Sequence, residues 1–197
     1  GWAASSARRC SPPSPDPLPV LITLAGLPGS GTSTVGREVA ARLGLDHLDG
    51  GSVFRALAAE AGMSLAEFAA VAEGDDRIDR ALDDRLTERA RAGDVLLESR
   101  LSAWLVTRAG LPALRVLLEC DEVERARRVA GRDGHDPEAA VAVNRAREAS
   151  ERARYLAYYD IDVADTSVYD LVLDSTATPP ADLVAAVVEA ARRPATP

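Results

Sequence analysis

Nine consecutive residues, Gly26, Leu27, Pro28, Gly29, Ser30, Gly31, Thr32, Ser33 and Thr34, set three glycines among four hydroxyl side chains. An apolar run precedes them and a helical pattern follows. A turn of this composition lets successive backbone N–H groups point inward onto phosphate oxygens. The helix that begins near Ser33 adds the positive end of its dipole. Ser33 stands at the hydroxyl position that would hold Mg²⁺ between the β- and γ-phosphates, so ATP with Mg²⁺ is the expected ligand. One part is absent: Thr32 occupies the place where a lysine usually precedes that hydroxyl. A glycine turn that binds no nucleotide is therefore the competing reading, and positive charge must come from elsewhere in the chain.

Three further groups of residues suit phosphate chemistry. In Gly50-Gly51-Ser52-Val53-Phe54-Arg55 a glycine pair ends a strand and Arg55 falls on the first turn of a helix, where it would face an acceptor phosphate; a surface arginine is the alternative. Glu98 and Arg100 follow directly on an apolar run, at the carboxyl end of a strand, where open parallel sheets bind ligands. Glu98 would orient the water around Mg²⁺ or assist at the acceptor hydroxyl, and Arg100 would hold acceptor phosphate or base, unless the two merely neutralise each other. The last group is a cluster of eight arginines from Arg125 to Arg154. Arg125, Arg128 and Arg132 share one helical face, and Arg147 and Arg154 share another. Guanidinium groups bind phosphate oxygens in a bidentate fork, so two such helices around a glycine-containing turn fit a lid that closes over phosphates and excludes water. Arg127 and Arg152 lie off those faces and are expected in solvent.

The elements that must position these residues follow from periodicity. Continuous apolar runs at 18–26, 45–48, 94–99, 114–120 and 169–175 predict buried parallel strands. Helical patterns are predicted after the glycine turn to Gly44, three times within 52–93, twice within 121–158 with a break at 131–137, and at 180–193. Ser64 and Glu67 are spaced for a capping box. Strands alternating with helices predict an α/β fold, a three-layer arrangement with a parallel central sheet.

Composition limits the class. The chain has 197 residues, a net charge of −8, a pI near 4.9 and 47% hydrophobic residues, which predicts one compact domain over 18–197. An acidic protein of this kind is not a general nucleic-acid binder. No apolar run is long enough to span a bilayer. Cys10 and Cys120 lack paired spacing, and His47 and His135, without metal-ligand spacing, are expected at the surface or in loops. The Ser-, Pro- and Arg-rich segment 1–17 reads as a disordered tail or a remnant outside the fold. A monomer in a reducing cytoplasm is the default expectation.

Taken in order, the glycine turn, F-R-A-L-A with G-M-S-L-A-E-F (54–58 and 62–68), L-E-S-R-L-S-A-W (97–104), R-A-R-R-V-A-G-R, R-E-A-S-E-R-A-R-Y and S-V-Y-D-L-V-L-D-S resemble the archaeal-type cytidylate kinases, within the nucleoside monophosphate kinases. Members of that branch can carry Thr at the position of the missing lysine. The resemblance implies a P-loop kinase with a helical acceptor-binding insert at about 52–92 and an arginine-rich lid at about 128–150. It implies transfer from ATP to CMP and dCMP, with Gly26 to Thr34 on the ATP phosphates and Arg55 and Arg100 at the acceptor. Arg128, Arg132, Arg147 and Arg154 match lid-side arginines around the transferring group, and the loop after Asp174 would lie near adenine. The family's common S-A-G-D is replaced here by Asp49, Gly50, Gly51 and Ser52, so Asp49 and Gly51 fall at the acceptor site and base selectivity is open. UMP or a specialised cytidylate-like metabolite is the alternative acceptor, and a nucleotide sensor without transfer is the alternative class.

Overall fold

The computed structural model describes residues 20–134 and 136–193; the readings of the 1–17 segment and of His135 lie outside the described residues. Five strands, β1 Leu21–Gly26, β2 Asp46–Asp49, β3 Val95–Glu98, β4 Leu114–Glu119 and β5 Leu171–Asp174, form a parallel sheet in the order β2-β3-β1-β4-β5. All five expected strands are present, and β1 is buried at each of its positions. Its residues alternate between two apolar layers, as the strand's two-residue period requires. Ile22 and Leu24 pack with Leu96, Val116 and Leu118 against helices α1 (Thr32–Leu43) and α8 (Pro180–Arg192). Leu21 packs on the other face with Val95 and Leu97, against α4 (Asp76–Arg91) and α5 (Ser102–Arg108). With both faces covered, continuous apolar strands are the stable solution.

Between β2 and β3 the chain forms α2 (Gly50–Glu60), α3 (Leu65–Gly74) and α4. The capping box is present: Ser64 Oγ accepts from the Glu67 amide and Glu67 reaches back to the Ser64 amide. Helix α2 begins earlier than its sequence pattern predicts. Asp49 accepts from the amides of Gly51 and Ser52, and this N-cap draws the glycine pair into the first turn. Helix α5 was not expected, because seven residues are too few to show a helical period. After β4 come α6 (Glu122–Asp133) and the 23-residue α7 (Pro137–Tyr159). Asp160 ends α7 with a φ of 53°, the left-handed geometry that Asp tolerates.

Candidate active site around the phosphate loop

The glycine turn leaves the carboxyl end of the central strand β1, between β3 and β4, and runs into α1. Gly29 has a φ of 88°, and a Cβ there would stand 2.4 Å from the Arg125 carbonyl oxygen. Only glycine therefore lets the loop pass against the backbone of α6. Gly26 is needed for closeness alone, since a Cβ would meet Ser30 Oγ at 2.3 Å and the Leu118 carbonyl at 2.9 Å. Ser30 is buried, and its carbonyl accepts from Ser175 Oγ at 2.8 Å, which ties the loop to the segment after β5.

Two guanidinium groups bracket the loop. Arg100, beyond β3, donates to the Gly26 carbonyl and, through Nε, to Glu151 at 3.0 Å. Arg128, from α6, lies 3.5 Å from the Gly29 carbonyl and donates to the carbonyls of Ser175 at 2.7 Å and Thr176 at 3.2 Å. Arg125 is the most deeply buried of the α6 arginines and donates to the carbonyls of Cys120 and Pro28 and to Glu148. The face shared by Arg125 and Arg128 thus meets the loop, as its spacing predicts, while Arg132 is exposed in the last turn of α6. Arg127 and Arg152 are exposed, as expected. Glu124 binds both Arg127 and Arg128, and those hydrogen bonds hold its carboxyl down at about 2.

The second face divides. Arg147 donates to Glu151 at 2.7 Å and is half-exposed, whereas Arg154 is buried and donates to Asp79 of α4 at 2.9 Å. Burial opposes charge on Glu151, yet Arg100 and Arg147 hold its carboxyl below the usual range. Burial raises Asp79 and Arg154 opposes it. Arg154 therefore joins α7 to α4. Arg55 is turned to Asp49 Oδ2 at 3.2 Å and Ser52 Oγ at 2.7 Å. Two hollows adjoin these groups. One, of about 860 Å³, passes under α7 beside Gly26, Leu27, Arg100, Glu151, Tyr155 and Thr176. The other, of about 430 Å³, lies between α1, β2 and α2 beside Ser33, His47, Asp49 and Ser52.

Glu98 and Arg100 do not neutralise each other. Glu98 is buried and accepts from Ser33 Oγ at 2.6 Å and from His47 Nε2 at 2.9 Å. The expectation that His47 is a surface or loop residue is thereby corrected: it lies on β2, 17% exposed, against a buried carboxylate that needs donors. The adjacent hydroxyl and carboxylate are hard oxygen donors, and among the described residues no group of three or more His, Cys, Asp or Glu could hold a metal alone. That set fits Mg²⁺, which takes one or two protein oxygens and completes its shell with phosphates and water. Besides His47, the residues missed in the sequence are the carboxylates Asp79, Glu148 and Glu151. The i,i+4 spacing of Arg147 and Glu151 was a local signal for that carboxylate, whereas the partners of Asp79 and Glu148 lie on other helices.

Residues 21–177 match the sequence model described as the cytidylate kinase-like family. The cytidylate kinase of Methanocaldococcus jannaschii is 40% identical over 158 residues, covering 80% of this chain and 89% of its own length. That of Methanopyrus kandleri is 44% identical over 166 residues, 81% of this chain and 86% of the relative, and that of Halobacterium salinarum is 45% identical over 158 residues, 79% and 81%. Among solved structures, a gluconokinase from Sinorhizobium meliloti 1021 has a TM-score of 0.58 at 20% identity, over 88% of this chain and 91% of its own. A shikimate kinase from Acinetobacter baumannii, in complex with shikimate, has a TM-score of 0.58 at 18% identity, over 88% and 93%. At those identities the likeness is one of fold. Sheet order, loop and sequence agree: the chain belongs to the cytidylate kinase-like family, a family of ATP-dependent phosphotransferases.

Proposed function

We propose that this protein transfers the γ-phosphoryl group of ATP to CMP, and to dCMP, giving the diphosphate and ADP. The observation that carries the reading is the bracketing of a lysine-free phosphate loop by Arg100 on one side and Arg128 on the other. Phosphoryl transfer asks little covalent chemistry of the protein; it asks for alignment and for cancellation of charge on the migrating group. The loop amides and the start of α1 hold the ATP phosphates, and the segment from Ser175 lies toward adenine. Arg128, with Arg132 and Arg147 from the lid at 128–150, meets the γ group as the lid closes. Ser33 and Glu98 would hold Mg²⁺ arriving with ATP, which would supply cancellation of phosphate charge.

The acceptor lies between the insert formed by α2 to α4 and the end of β3. Its phosphate takes Arg55 from Asp49 and is met by Arg100. Arg154 takes part only if it gives up Asp79, so its first role is to hold α7 to the insert. The attacking oxygen belongs to a phosphate monoester whose second pKa is about 6, so it is ionised near neutral pH and needs no strong base. At position 50 a Cβ would stand 3.3 Å from the Glu98 carbonyl and from Ser99 Cβ. A side chain there would be tightly packed, and with glycine at 50 recognition of the base passes to Asp49, Gly51 and Ser52. A monomer in a reducing cytoplasm belongs to the same reading; no helix among the described residues is long and apolar enough to cross a membrane.

An ADP-release assay across CMP, dCMP, UMP, AMP and GMP tests the proposal. Turnover with the cytidylates ahead of the others is expected. Preference for UMP would move the acceptor, and no turnover in folded protein that still binds ATP would leave a nucleotide sensor.

A further inference from the structure

His47 belongs to none of the motifs that carry phosphate chemistry, yet it is built into the site. Glu98 is 7% exposed and spends one oxygen on Ser33 Oγ and the other on His47 Nε2. Opposite a carboxylate, which only accepts, Nε2 carries the ring hydrogen and donates it. A second observation concerns Gly36, in the interior of α1, where glycine weakens a helix. A Cβ at that position would stand 3.0 Å from His47 Nε2 and 3.3 Å from Leu96 Cδ2. Helix α1 thus leaves the space in which the imidazole reaches Glu98.

We propose that His47 is a positioning residue for the transfer reaction, acting through Glu98 on the hydroxyl of Ser33. With Glu98 held from behind by the imidazole, its other oxygen stays where the Ser33 hydroxyl donates its hydrogen. The lone pairs of Ser33 Oγ are then left to a divalent cation that arrives with the nucleotide. Without the donor at position 47 the carboxylate is free to rotate, and the hydroxyl loses its orientation. Outer partners of this kind typically change metal affinity by about 10- to 100-fold. The inference rests on Ser33 and Glu98 being the cation side of the active site.

The test is Mn²⁺ affinity in the presence of ADP, read by the electron paramagnetic resonance of free Mn²⁺, beside ADP affinity without metal. His47→Phe removes the donor, His47→Gln keeps an amide donor within reach, and His47→Asn keeps the same amide one carbon short. His47→Phe and His47→Asn are expected to weaken Mn²⁺ about 10-fold with metal-free ADP affinity unchanged, and His47→Gln to stay within about 3-fold of the parent. Should His47→Phe not fold, the Gln and Asn variants decide between them. Equal Mn²⁺ affinity in all variants, or equal loss in Gln and Asn, would overturn the proposal, as would a parent that gains no Mn²⁺ affinity from ADP. A parent that binds Mn²⁺ with ADP but turns over no CMP would sink the proposed activity and leave standing the role of His47 at the cation site.

Discussion

Arg100 and Glu151 meet at 3.0 Å across 51 residues of sequence, and the same carboxylate also accepts from Arg147. One buried side chain of α7 therefore gathers a guanidinium from the end of β3 and another from its own preceding turn. Arg100 is thereby held against the Gly26 carbonyl before any phosphate arrives, which is the preorganisation that charge-stabilising catalysis requires.

Arg100→Ala is accordingly expected to lower kcat/KM by about 10²- to 10³-fold, the usual cost of removing a donor aimed at developing charge. Arg152→Ala, whose side chain is exposed and pairs with Asp162, is expected to stay within about 3-fold of the parent, as surface ion pairs contribute little. Steady-state ADP release under CMP saturation and below it reads both. Similar losses in the two variants would contradict the assignment of faces.

At the loop, Gly29→Ala combines a φ of 88° with a Cβ 2.4 Å from the Arg125 carbonyl. Loop and α6 cannot both keep their places. Affinity for ATP, measured calorimetrically, is expected to fall at least about 100-fold, a loss of ~3 kcal/mol of binding. Unchanged ATP affinity would mean that the loop does not bind phosphates in the conformation described.

Between α4 and α7, Asp79→Ala leaves Arg154 buried without its carboxylate. Removing one member of a buried pair costs about 3–5 kcal/mol, while replacing both by apolar side chains is often nearly neutral. Urea unfolding is expected to show the single loss and a recovery in the double variant Asp79→Leu, Arg154→Met. A double variant as unstable as Asp79→Ala would show that the pair contributes more than relief of its own desolvation.

Asp83 predicts a pH dependence. Burial pushes its carboxyl up to about 7, with Asp79 and Asp84 adding to the rise and Tyr159 and Arg80 opposing it. A carboxyl that holds its proton longer in the folded state than in the unfolded chain contributes stability in full below the unfolded pKa, near 4. That contribution is lost as pH rises through about 7. Asp83→Asn keeps a neutral side chain at every pH. The stability of Asp83→Asn relative to the parent should therefore rise between pH 5 and pH 8, by an amount on the order of 2–4 kcal/mol. A difference that stays flat over that range in urea titrations would rule the mechanism out.

Much of the fold was legible because its signals are local. Five apolar runs became five strands, the glycine turn fell where a strand meets a helix, and Ser64 with Glu67 formed the expected cap. The short α5 escaped because seven residues show no period, and the early start of α2 escaped because Asp49 rather than hydrophobic spacing begins it. Within the site, the face of Arg125 and Arg128 was readable from three- and four-residue spacing. The parting of Arg147 from Arg154 was not, since two residues on one helical face diverge according to which carboxylate each finds.

By itself the amino-acid order determined the parallel α/β class, the phosphate loop with its missing lysine, and the acidic surface with a local excess of arginine. These follow from side-chain period, glycine geometry and charge count, all properties of neighbours along the chain. Tertiary structure alone decided which carboxylate holds which guanidinium, that Arg154 secures the insert, and that His47 stands behind Glu98. The pairs Arg100–Glu151, His47–Glu98 and Arg154–Asp79 span 51 to 75 residues of sequence, and a buried charge selects its partner by distance and desolvation, which only the packed sheet and helices establish.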